Sequence, residues 1–433
     1  MGKSSTFSNA VWIIFCRIIQ AVLSLFVGMW TARYLGPSNY GLINYASSLA
    51  AFVAPIAYLG INEVLVLDIV NNSDEEGETM GTAMGISFLM AIVCMVAIII
   101  FVLSTSPDEA ETKVVCAFYN IALIFRAFQI VQYWFQAKLL SKYISIASIF
   151  VYIVVSAFKI YLLITGKSIL WFVACCLLDE ALIMVTTLVI YHRLGGGKLS
   201  FSKKAAFRLI SKSKSFIIPS LMITIFAQTD RIMLKLMVDN AAAGIYSAAI
   251  TCANMFSFVF VAIIDSFRPS IFSWRKSSIE IYETRVKQLN SIVIYLSVCQ
   301  CIGFMVLARP AIYILYGIEY MEATGVLRVL IWYTLFSYLG AVRNIWVLAE
   351  GREKYLWVIN VVGAFFNVVA NYMLIPIYGS IGAAGASLLT QFVTNVVMCI
   401  ILKPYRHGVK LMIAGLNPKY ILELSNMRKK RRR

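Results

Sequence analysis

Residues 191–214, YHRLGGGKLSFSKKAAFRLISKSK, decide how this chain is organised. The stretch contains seven Lys and Arg side chains and no Asp or Glu, and almost continuous apolar sequence lies on either side of it. Moving these cations through a bilayer is costly, so Lys-rich and Arg-rich loops are retained in the cytoplasm. We therefore interpret this segment, called the basic hinge below, as a cytosolic connector between two halves of a polytopic membrane protein.

The composition of the whole chain supports a membrane location. Hydrophobic residues make up 61%, charged residues only 14%, and the mean hydropathy is +0.81. A water-soluble domain of this composition would leave too much apolar surface uncovered. The net charge of +17 is found in short loops and in the C-terminal tail, which indicates orientation in the membrane and not binding of nucleic acid.

Twelve apolar segments are long enough to cross a bilayer, which requires about 20 residues. The predicted spans are residues 9–32, 41–60, 80–103, 114–136, 144–164, 169–190, 216–237, 244–267, 289–308, 326–349, 356–375 and 381–402. The predicted fold is an all-α polytopic membrane protein with two six-helix lobes. Its predicted divisions are residues 1–195 for the first lobe, 196–213 for the linker, 214–405 for the second lobe and 406–433 for a basic cytosolic tail.

The positions of Lys and Arg predict the orientation of these spans. Alternate loops are rich in them, and the rich set includes the loop with Lys138 and Lys142, the basic hinge and the tail. This bias places both termini in the cytosol. One loop does not fit the bias: NNSDEEGE at residues 71–78, the acidic loop below, is assigned to the cytosol although it is acidic. Acidic residues contribute little to the rule, so we keep the assignment.

Two internal echoes indicate that the halves are related. Residues 136–163 align with residues 348–375 at an offset of 212, which matches Lys142 with Lys354 and Tyr143 with Tyr355. A second echo pairs GLINYAS, beginning at Gly41, with GIYSAAI, beginning at Gly244. Together they fit a six-span unit used twice in the same orientation, and binding sites in such transporters tend to lie between the repeats.

Four stretches carry a resemblance to a known family. They are RYLGPSNYGLINYASSLAAF at residues 33–52, TDRIMLKLMVDNAAAGIYSAA at 229–249, LYGIEYMEATGVLRVL at 315–330 and FFNVVANYMLIPIYGSIGAAGASL at 365–388. In their order and spacing they resemble Wzx-type flippases of the polysaccharide transporter family, within the multidrug/oligosaccharidyl-lipid/polysaccharide (MOP) superfamily. The resemblance implies a MATE-like fold around a central cavity. It also implies transfer of an undecaprenyl-pyrophosphate-linked sugar unit across a bacterial cytoplasmic membrane.

Polar residues recur inside the apolar spans at helical spacing, and they cannot face lipid without a penalty. The candidate substrate-binding residues are Arg17, Arg126, Lys159, Arg231, Arg343, Gln20, Asn254 and Asn367. The resemblance implies an anionic pyrophosphate head group, which Arg side chains bind through a bidentate fork. Arg17 is the first choice because it lies well inside the first span on its polar face, and Arg126 and Lys159 follow.

The candidate ion-coupling residues are Asp179, Glu180 and Asp265. A second interpretation is that Asp179 and Glu180 neutralise Lys159. Other candidates also have an alternative reading. In these alternatives, the Arg17 side chain extends to the cytosolic surface and Arg231 only marks the outer end of the seventh helix. Arg343, in its alternative, pairs with Glu350.

Enzyme signatures are missing from the sequence. The only histidines, His192 and His407, lie in segments predicted to be cytosolic, and no HExxH motif or nucleophile elbow occurs. We expect no enzymatic activity, no cofactor and no metal, and the nine cysteines read as small apolar residues. The expected partners are the lipid-linked oligosaccharide, membrane lipids, a polysaccharide polymerase and glycosyltransferases.

Two rival functions stay open at this point. One is a cation-coupled exporter of small molecules from the same superfamily, which would favour an acidic, aromatic pocket. The other is a membrane enzyme such as a glycan polymerase, which would be expected to present a large outer loop. The tail motif MRKKRRR either lies on the anionic inner leaflet or serves only as an orientation signal.

Overall fold

The computed structural model describes the backbone of residues 3–423, and the side chains of Gln20 and of residues 23–423. No β-strand occurs in that part of the chain, and its regular structure consists of helices. Helices satisfy their backbone hydrogen bonds internally, which a lipid environment requires. By its internal contacts the chain divides into a first unit, Met1–Gly244, and a second unit, Ile245–Arg433.

Helices α1 to α9 belong to the first unit. They are α1 Lys3–Tyr58, α2 Ile61–Asn71, α3 Glu76–Thr105, α4 Ala110–Asn120, α5 Ala122–Phe128, α6 Gln132–Ala137, α7 Ser141–Ile164, α8 Ile169–Arg193 and α9 Lys203–Met237. Helix α10, Asn240–Ala253, begins in the first unit and ends in the second. The remaining helices are α11 Ser257–Ser277, α12 Ile279–Tyr316, α13 Ala323–Ala349, α14 Leu356–Phe392, α15 Met398–Ile401 and α16 Arg406–Ala414.

The described helices are compatible with twelve crossings. Nine continuous helical stretches are long and apolar enough to cross a membrane, and the bent pair α10 and α11 is a tenth if it forms one span. Two of the nine contain 49 residues each: Leu23–Asn71 covers the second predicted span and the end of the first, and Glu353–Ile401 covers nearly all of the last two. One is broken at Gly36 (φ 71°, ψ 170°), and the other at Gly379 (φ 55°, ψ −131°). Glycine adopts these backbone angles without the strain that a side chain would add.

The basic hinge is partly helical. Helix α9 begins at Lys203, well before the predicted start of the seventh span at residue 216, because the Ser202 hydroxyl accepts a hydrogen bond from the Ala205 amide and caps the helix. The segment before it packs along α3, where the Ser202 amide donates to Thr82 Oγ1 at 2.9 Å. By contacts, α9 is part of the first unit. The predicted division of the chain into lobes and linker stays a prediction.

Charged loops in the first unit meet in two separate groups. At one end, Lys138 and the basic hinge contact the acidic loop, with Lys138 Nζ 2.6 Å from Glu76 Oε2. At the far ends of α3 and α9, Lys235 Nζ lies 2.6 Å from Glu109 Oε1. All segments of the first group are predicted to be cytosolic and both of the second to be outer. The acidic loop therefore contacts segments that are predicted to lie on the same side of the membrane. Its own charge does not predict that side.

The loops of the second unit follow the same pattern. The segments around Arg275, Glu350 and His407 were assigned to one side of the membrane, and they contact one another. Arg275 Nε lies 2.8 Å from Glu350 Oε1, and His407 Nε2 lies 2.9 Å from Glu283 Oε1. The Tyr405 hydroxyl donates to the carbonyl of Arg352 at 2.9 Å, and burial raises the pKa of Tyr405 to about 12. These contacts close one end of the second unit around a core that includes Tyr282 and Trp346.

Candidate functional site

The fourth predicted span is not one continuous α-helix. It consists of α4, α5, a 3₁₀ turn at Gln129–Val131 and α6. A 3₁₀ segment within a helical span often marks a functional hinge. Arg126 lies on the short helix α5 directly before this turn, and Gln129 begins the turn. The irregular backbone therefore presents two polar side chains towards α8, with which α5 packs.

Arg126 and Glu180 form an ion pair inside the first unit. Arg126 Nη2 lies 2.6 Å and Nε 2.8 Å from Glu180 Oε1, and Gln129 Nε2 donates to Glu180 Oε2 at 2.7 Å. The side chains are 26% and 17% exposed. Breaking such a pair by removing one partner leaves an uncompensated charge in an apolar setting, which is strongly destabilising. Arg126 is therefore held by a carboxylate in this structure.

Lys159 and Asp179 extend this arrangement on α7 and α8. Asp179 precedes Glu180 in sequence, and it interacts electrostatically with both Lys159 and Arg126. The Oδ1 atom of Asp179 is buried and has no hydrogen-bond partner among the described residues. Two cations and two carboxylates balance one another in charge. We call Arg126, Gln129, Lys159, Asp179 and Glu180 the charge cluster.

These contacts bear on the interpretation that Asp179 and Glu180 neutralise Lys159, which stays a prediction. Asp179 lies within electrostatic range of Lys159, as the neutralising interpretation expected, but Glu180 is bonded to Arg126. A different reading is wrong: Arg343 does not take Glu350 as its partner, because Arg275 and Arg352 bind that carboxylate. The ion-coupling role of Asp179 and Glu180 stays a prediction.

Arg343 lies in the second unit beside an irregular helical segment. Residues Val393–Val397 form a π-helix, a feature often found at functional sites. Arg343 Nη1 donates to the Thr394 carbonyl at 3.1 Å, and Nη2 donates to Asn344 Oδ1 at 2.9 Å. The Nε atom is buried and has no hydrogen-bond partner in the described part of the chain. Arg343 lines a small pocket with Asn395 and Tyr405, and it retains unused donor capacity there.

The other predicted site residues are distributed over both units. The side chain of Arg17 lies outside the described residues, and Gln20 on α1 is partly exposed. Arg231 Nη1 donates to Gln228 within α9, at 3.2 Å, and Asn254 is exposed at the break after α10. Asn367 is fully buried on α14, where it accepts from Asn371.

Asp265 was predicted as an ion-coupling residue on α11. Its Oδ1 atom pairs with Arg268 Nη2 at 3.1 Å, one turn along the same helix, and the two side chains are 53% and 50% exposed. This is an ordinary i, i+3 surface pair. The Asp265 side chain is exposed, whereas the Oδ1 atom of Asp179 is buried.

The structure adds functional candidates that periodicity did not single out for a role. Gln129 lies among the polar residues of the fourth span without being a predicted site residue, yet it supplies a second donor to Glu180. Thr394 contributes through a backbone carbonyl, which no sequence pattern marks. Among the described residues, no group of three His, Cys, Asp or Glu side chains is arranged to hold a metal ion.

A family model described as "Polysaccharide biosynthesis protein" matches residues 7–273, more than half of the chain. The chain belongs to the polysaccharide biosynthesis protein family. This membership confirms the family expected from the sequence motifs. A relative of this polysaccharide biosynthesis protein is the capsular polysaccharide biosynthesis protein CapF of Staphylococcus aureus, 22% identical over 398 residues, covering 89% of this chain and 96% of CapF.

Two solved structures share the fold of this polysaccharide biosynthesis protein. The lipid II flippase MurJ, in an inward closed conformation, matches with a TM-score of 0.71 and 12% identity over 96% of this chain and 93% of its own. An inward-facing MATE family multidrug resistance transporter of the MOP superfamily matches with a TM-score of 0.65 and 13% identity, over 92% and 95%. The predicted all-α, MATE-like membrane fold is confirmed.

Proposed function

We propose that this polysaccharide biosynthesis protein is a flippase for an undecaprenyl-pyrophosphate-linked oligosaccharide. The cargo is a repeat unit of O-antigen, capsule or exopolysaccharide, and it moves from the inner to the outer leaflet of the bacterial cytoplasmic membrane by alternating access. Family membership, the capsular relative and the fold shared with a lipid II flippase support the proposal. The observation that carries it is the Arg126–Glu180 pair. Arg126 is a side chain of the type that binds phosphate, and it lies inside an apolar helix bundle with a carboxylate as its partner.

Arg126 binds the pyrophosphate by exchanging one anionic partner for another. Glu180 occupies the Arg126 fork in the described state through contacts of 2.6 and 2.8 Å. Both of these contacts are to the single oxygen Oε1, whereas a phosphate offers a separate oxygen to each nitrogen of the fork. When the head group takes the place of Glu180, Arg126 keeps its charge compensated, and the freed carboxylate needs another partner.

A proton or an external cation fills that need. Asp179 Oδ1 is buried without a partner beside Glu180, so this pair of carboxylates is a suitable acceptor. Protonation of either carboxylate removes one negative charge from the charge cluster and releases Arg126 or Lys159 for the substrate. Substrate binding and cation binding are thereby linked, so the cation gradient across the membrane influences the balance between the loaded and empty states.

Arg17 and Arg343 are the next substrate contacts in this proposal. Arg17 retains the role predicted from its place on the polar face of the first span. Arg343 has a buried Nε–H group with no described acceptor, so it can bind an anion without first breaking an ion pair. The proposed set of substrate contacts also includes Arg231, Lys159, Gln20, Asn254 and Asn367. The amide side chains in this set are suited to hydrogen bonds with sugar hydroxyls.

Orientation and partners follow from the charge pattern. In the proposed orientation both termini and the basic hinge face the cytosol, as the retention of Lys-rich and Arg-rich segments predicts. Contacts that join such segments within each unit support this orientation. Glycosyltransferases would supply the lipid-linked unit at that face, and a polymerase would consume it at the other.

The direct test is lipid flipping by the purified protein in liposomes. A fluorescent polyprenyl-pyrophosphate disaccharide is distributed over both leaflets, and a membrane-impermeant quencher reports how much becomes accessible with time. We expect complete quenching with the protein and about half in protein-free liposomes. Liposomes carrying Arg126→Ala should become accessible to the quencher much more slowly than those carrying the unchanged protein.

Two results would overturn the proposal. In the first, quenching stays at half although the protein is folded and fully incorporated. In the second, the protein transports organic cations against a proton or sodium gradient but leaves the lipid-linked sugar in place. The second result would establish the rival exporter function, for which the carboxylates of the charge cluster would form the cation site.

A further inference from the structure

An apolar groove runs along the second unit between α11 and α12. It has a volume of about 540 Å³. Its walls include Phe256 and Val259 at the start of α11, and Gly303, Phe304 and Leu307 on α12. Phe256 and Phe304 meet edge to face with their ring centroids 6.0 Å apart. A 45° bend separates α10 from α11 at this point, and Phe256 directly precedes α11.

The lining of the groove restricts what binds there. Apolar side chains supply nearly all of it, and Gln300 is the polar exception among the lining residues. A sugar or a phosphate would lose its hydration without gaining hydrogen bonds, so neither is a suitable occupant. A hydrocarbon chain loses nothing and gains close contacts with aromatic and branched side chains.

The length of the groove also matches a membrane-embedded chain. Along α12 its lining extends from Leu296 to Leu315, which corresponds to about 28 Å of helix. The hydrocarbon core of a bilayer is about 30 Å thick. The groove is therefore long enough to hold an extended stretch of a chain and not merely its end.

We propose that this groove binds the polyprenyl chain of the lipid-linked oligosaccharide. The inference rests on the proposed flippase function and adds a site for the part of the substrate that carries no charge. The head group is bound through cations, while the chain follows α12 through the membrane. A bound chain keeps the lipid attached to the second unit while its head group changes sides.

Adjacent positions on α12 provide a matched pair of photo-cross-linking probes. Leu307 lines the groove and is 58% exposed, whereas Val306 is 70% exposed but does not line it. The full-length protein carries p-benzoylphenylalanine at one position or the other, in nanodiscs of phosphatidylethanolamine and phosphatidylglycerol. A radiolabelled long-chain polyprenyl phosphate is the probe. We expect a labelled protein band from position 307 and a much weaker one from position 306.

Competition decides whether the chain is recognised or the groove only takes up bulk lipid. Unlabelled polyprenyl phosphate should remove the band from position 307, and an equal amount of extra phosphatidylglycerol should not. Equal labelling at both positions, or equal competition by phosphatidylglycerol, would overturn the assignment. The assay does not require flipping, so it can fail while the flipping assay succeeds, and the reverse also holds.

Gly303 allows the groove to be filled without disturbing the fold. A Cβ atom at this position would meet no atom within 4 Å, so Gly303→Leu fits the helix and projects into the open space. Displacing two methylene groups of the chain should weaken its binding about tenfold. We expect a comparable loss of cross-linking from position 307. Val306→Leu, on the exposed neighbouring position, is the control and should leave cross-linking unchanged; equal effects of the two changes would contradict the assignment.

Discussion

Arg208 places its Nη1 atom 2.6 Å from the Oε2 atom of Glu75, which joins the basic hinge to the acidic loop. The same guanidinium contacts Asp68 Oδ2 at 3.1 Å and Thr79 Oγ1 at 2.9 Å. Lys212 Nζ contacts the other oxygen of Asp68 at 2.9 Å. The segment with the greatest excess of positive charge before the tail is therefore fixed to the first unit by a network of ion pairs. A flexible connector would not make these contacts.

Removal of Arg208 should destabilise the first unit. The Asp68 side chain is fully buried, and Arg208→Ala leaves Lys212 as its remaining cation. Loss of one partner from a buried pair usually costs about 3–5 kcal/mol, and the surviving Lys212 contact reduces this to about 2 kcal/mol. Thermal unfolding in detergent should report a transition lower by several degrees.

Two further variants identify the cause of that loss. Lys204→Ala removes a cation that is 78% exposed, and it should leave the unfolding temperature unchanged. Combining Arg208→Gln with Asp68→Asn removes both charges, so it should cost less than the sum of the separate changes. Additive losses would show that Arg208 and Asp68 do not interact energetically.

Arg126→Ala should abolish most transport because it removes the proposed phosphate ligand. Charge-assisted hydrogen bonds contribute about 1.5–3 kcal/mol each, so we expect a loss of roughly ten- to a hundredfold in the initial flipping rate. Arg126→Lys keeps the charge but not the fork, and it should retain intermediate activity. The initial rate of quencher accessibility in liposomes measures both.

The double variant Arg126→Ala, Glu180→Gln separates binding from folding. It leaves no uncompensated carboxylate from the pair, so its unfolding temperature should approach that of the unchanged protein. Its flipping rate should stay as low as that of Arg126→Ala. Recovery of both stability and transport would mean that Arg126 serves only to neutralise Glu180.

Acidification should weaken the ion pair at the other end of α9. The pKa of Glu109 lies below its ordinary value, first because Lys235 donates to both carboxylate oxygens and then because Thr112 donates to one of them. The stabilisation is fully present above the unfolded pKa of about 4.3 and is lost as the pH falls through the lower folded pKa. Glu109 is 44% exposed, so the effect is modest.

Thermal unfolding of Glu109→Gln against the unchanged protein measures this contribution. The variant should unfold at a lower temperature near neutral pH, since Lys235 is only 5% exposed and loses its anionic partner. The difference should shrink as the pH is lowered below about 4. A difference that stays constant down to the acid limit would exclude Glu109 as its source.

Gly41→Ala should destabilise the first unit through a direct clash. A Cβ atom at Gly41 would lie 1.8 Å from the Asn240 carbonyl oxygen, and one at Gly244 would lie 2.0 Å from the Pro37 carbonyl oxygen. Both contacts involve backbone, so relief requires moving a helix, and we expect a cost of about 1–3 kcal/mol. Gly28→Ala, where a Cβ atom meets nothing within 4 Å, is the matched control. Equal unfolding temperatures for the two variants would contradict the close approach.

The spans were predictable because a single property, apolar length, determines them. The predicted tenth span, residues 326–349, ends where α13 ends, and the sixth, residues 169–190, begins where α8 begins. Gly41 and Gly244, which begin the two stretches of the second echo, approach each other closely through their backbones. Periodicity identified Arg126, Lys159, Asp179 and Glu180 as candidates because charges inside apolar segments are costly.

Partner choice was not predictable in the same way. Glu180 binds Arg126. The 3₁₀ turn at Gln129–Val131, which follows the helix that carries Arg126, is not signalled by any turn residue. The choice of Arg275 over Arg343 for Glu350 depends on how two helices pack, and sequence spacing does not contain that information. The start of α9 at Lys203 was missed because hydropathy ignores a polar helical extension.

The position of Asp68 has a consequence for biogenesis. Its two cationic partners are translated long after it, since Arg208 follows 140 residues later. Until the ribosome has passed Lys212, the nascent first unit holds an acidic group that lacks its counter-ions, and α2 cannot settle finally among its neighbours. If the protein is expressed as two co-produced fragments, the chain should therefore be divided after α9. Hydropathy alone would place the division within the basic hinge, which would separate Asp68 from its cationic partners.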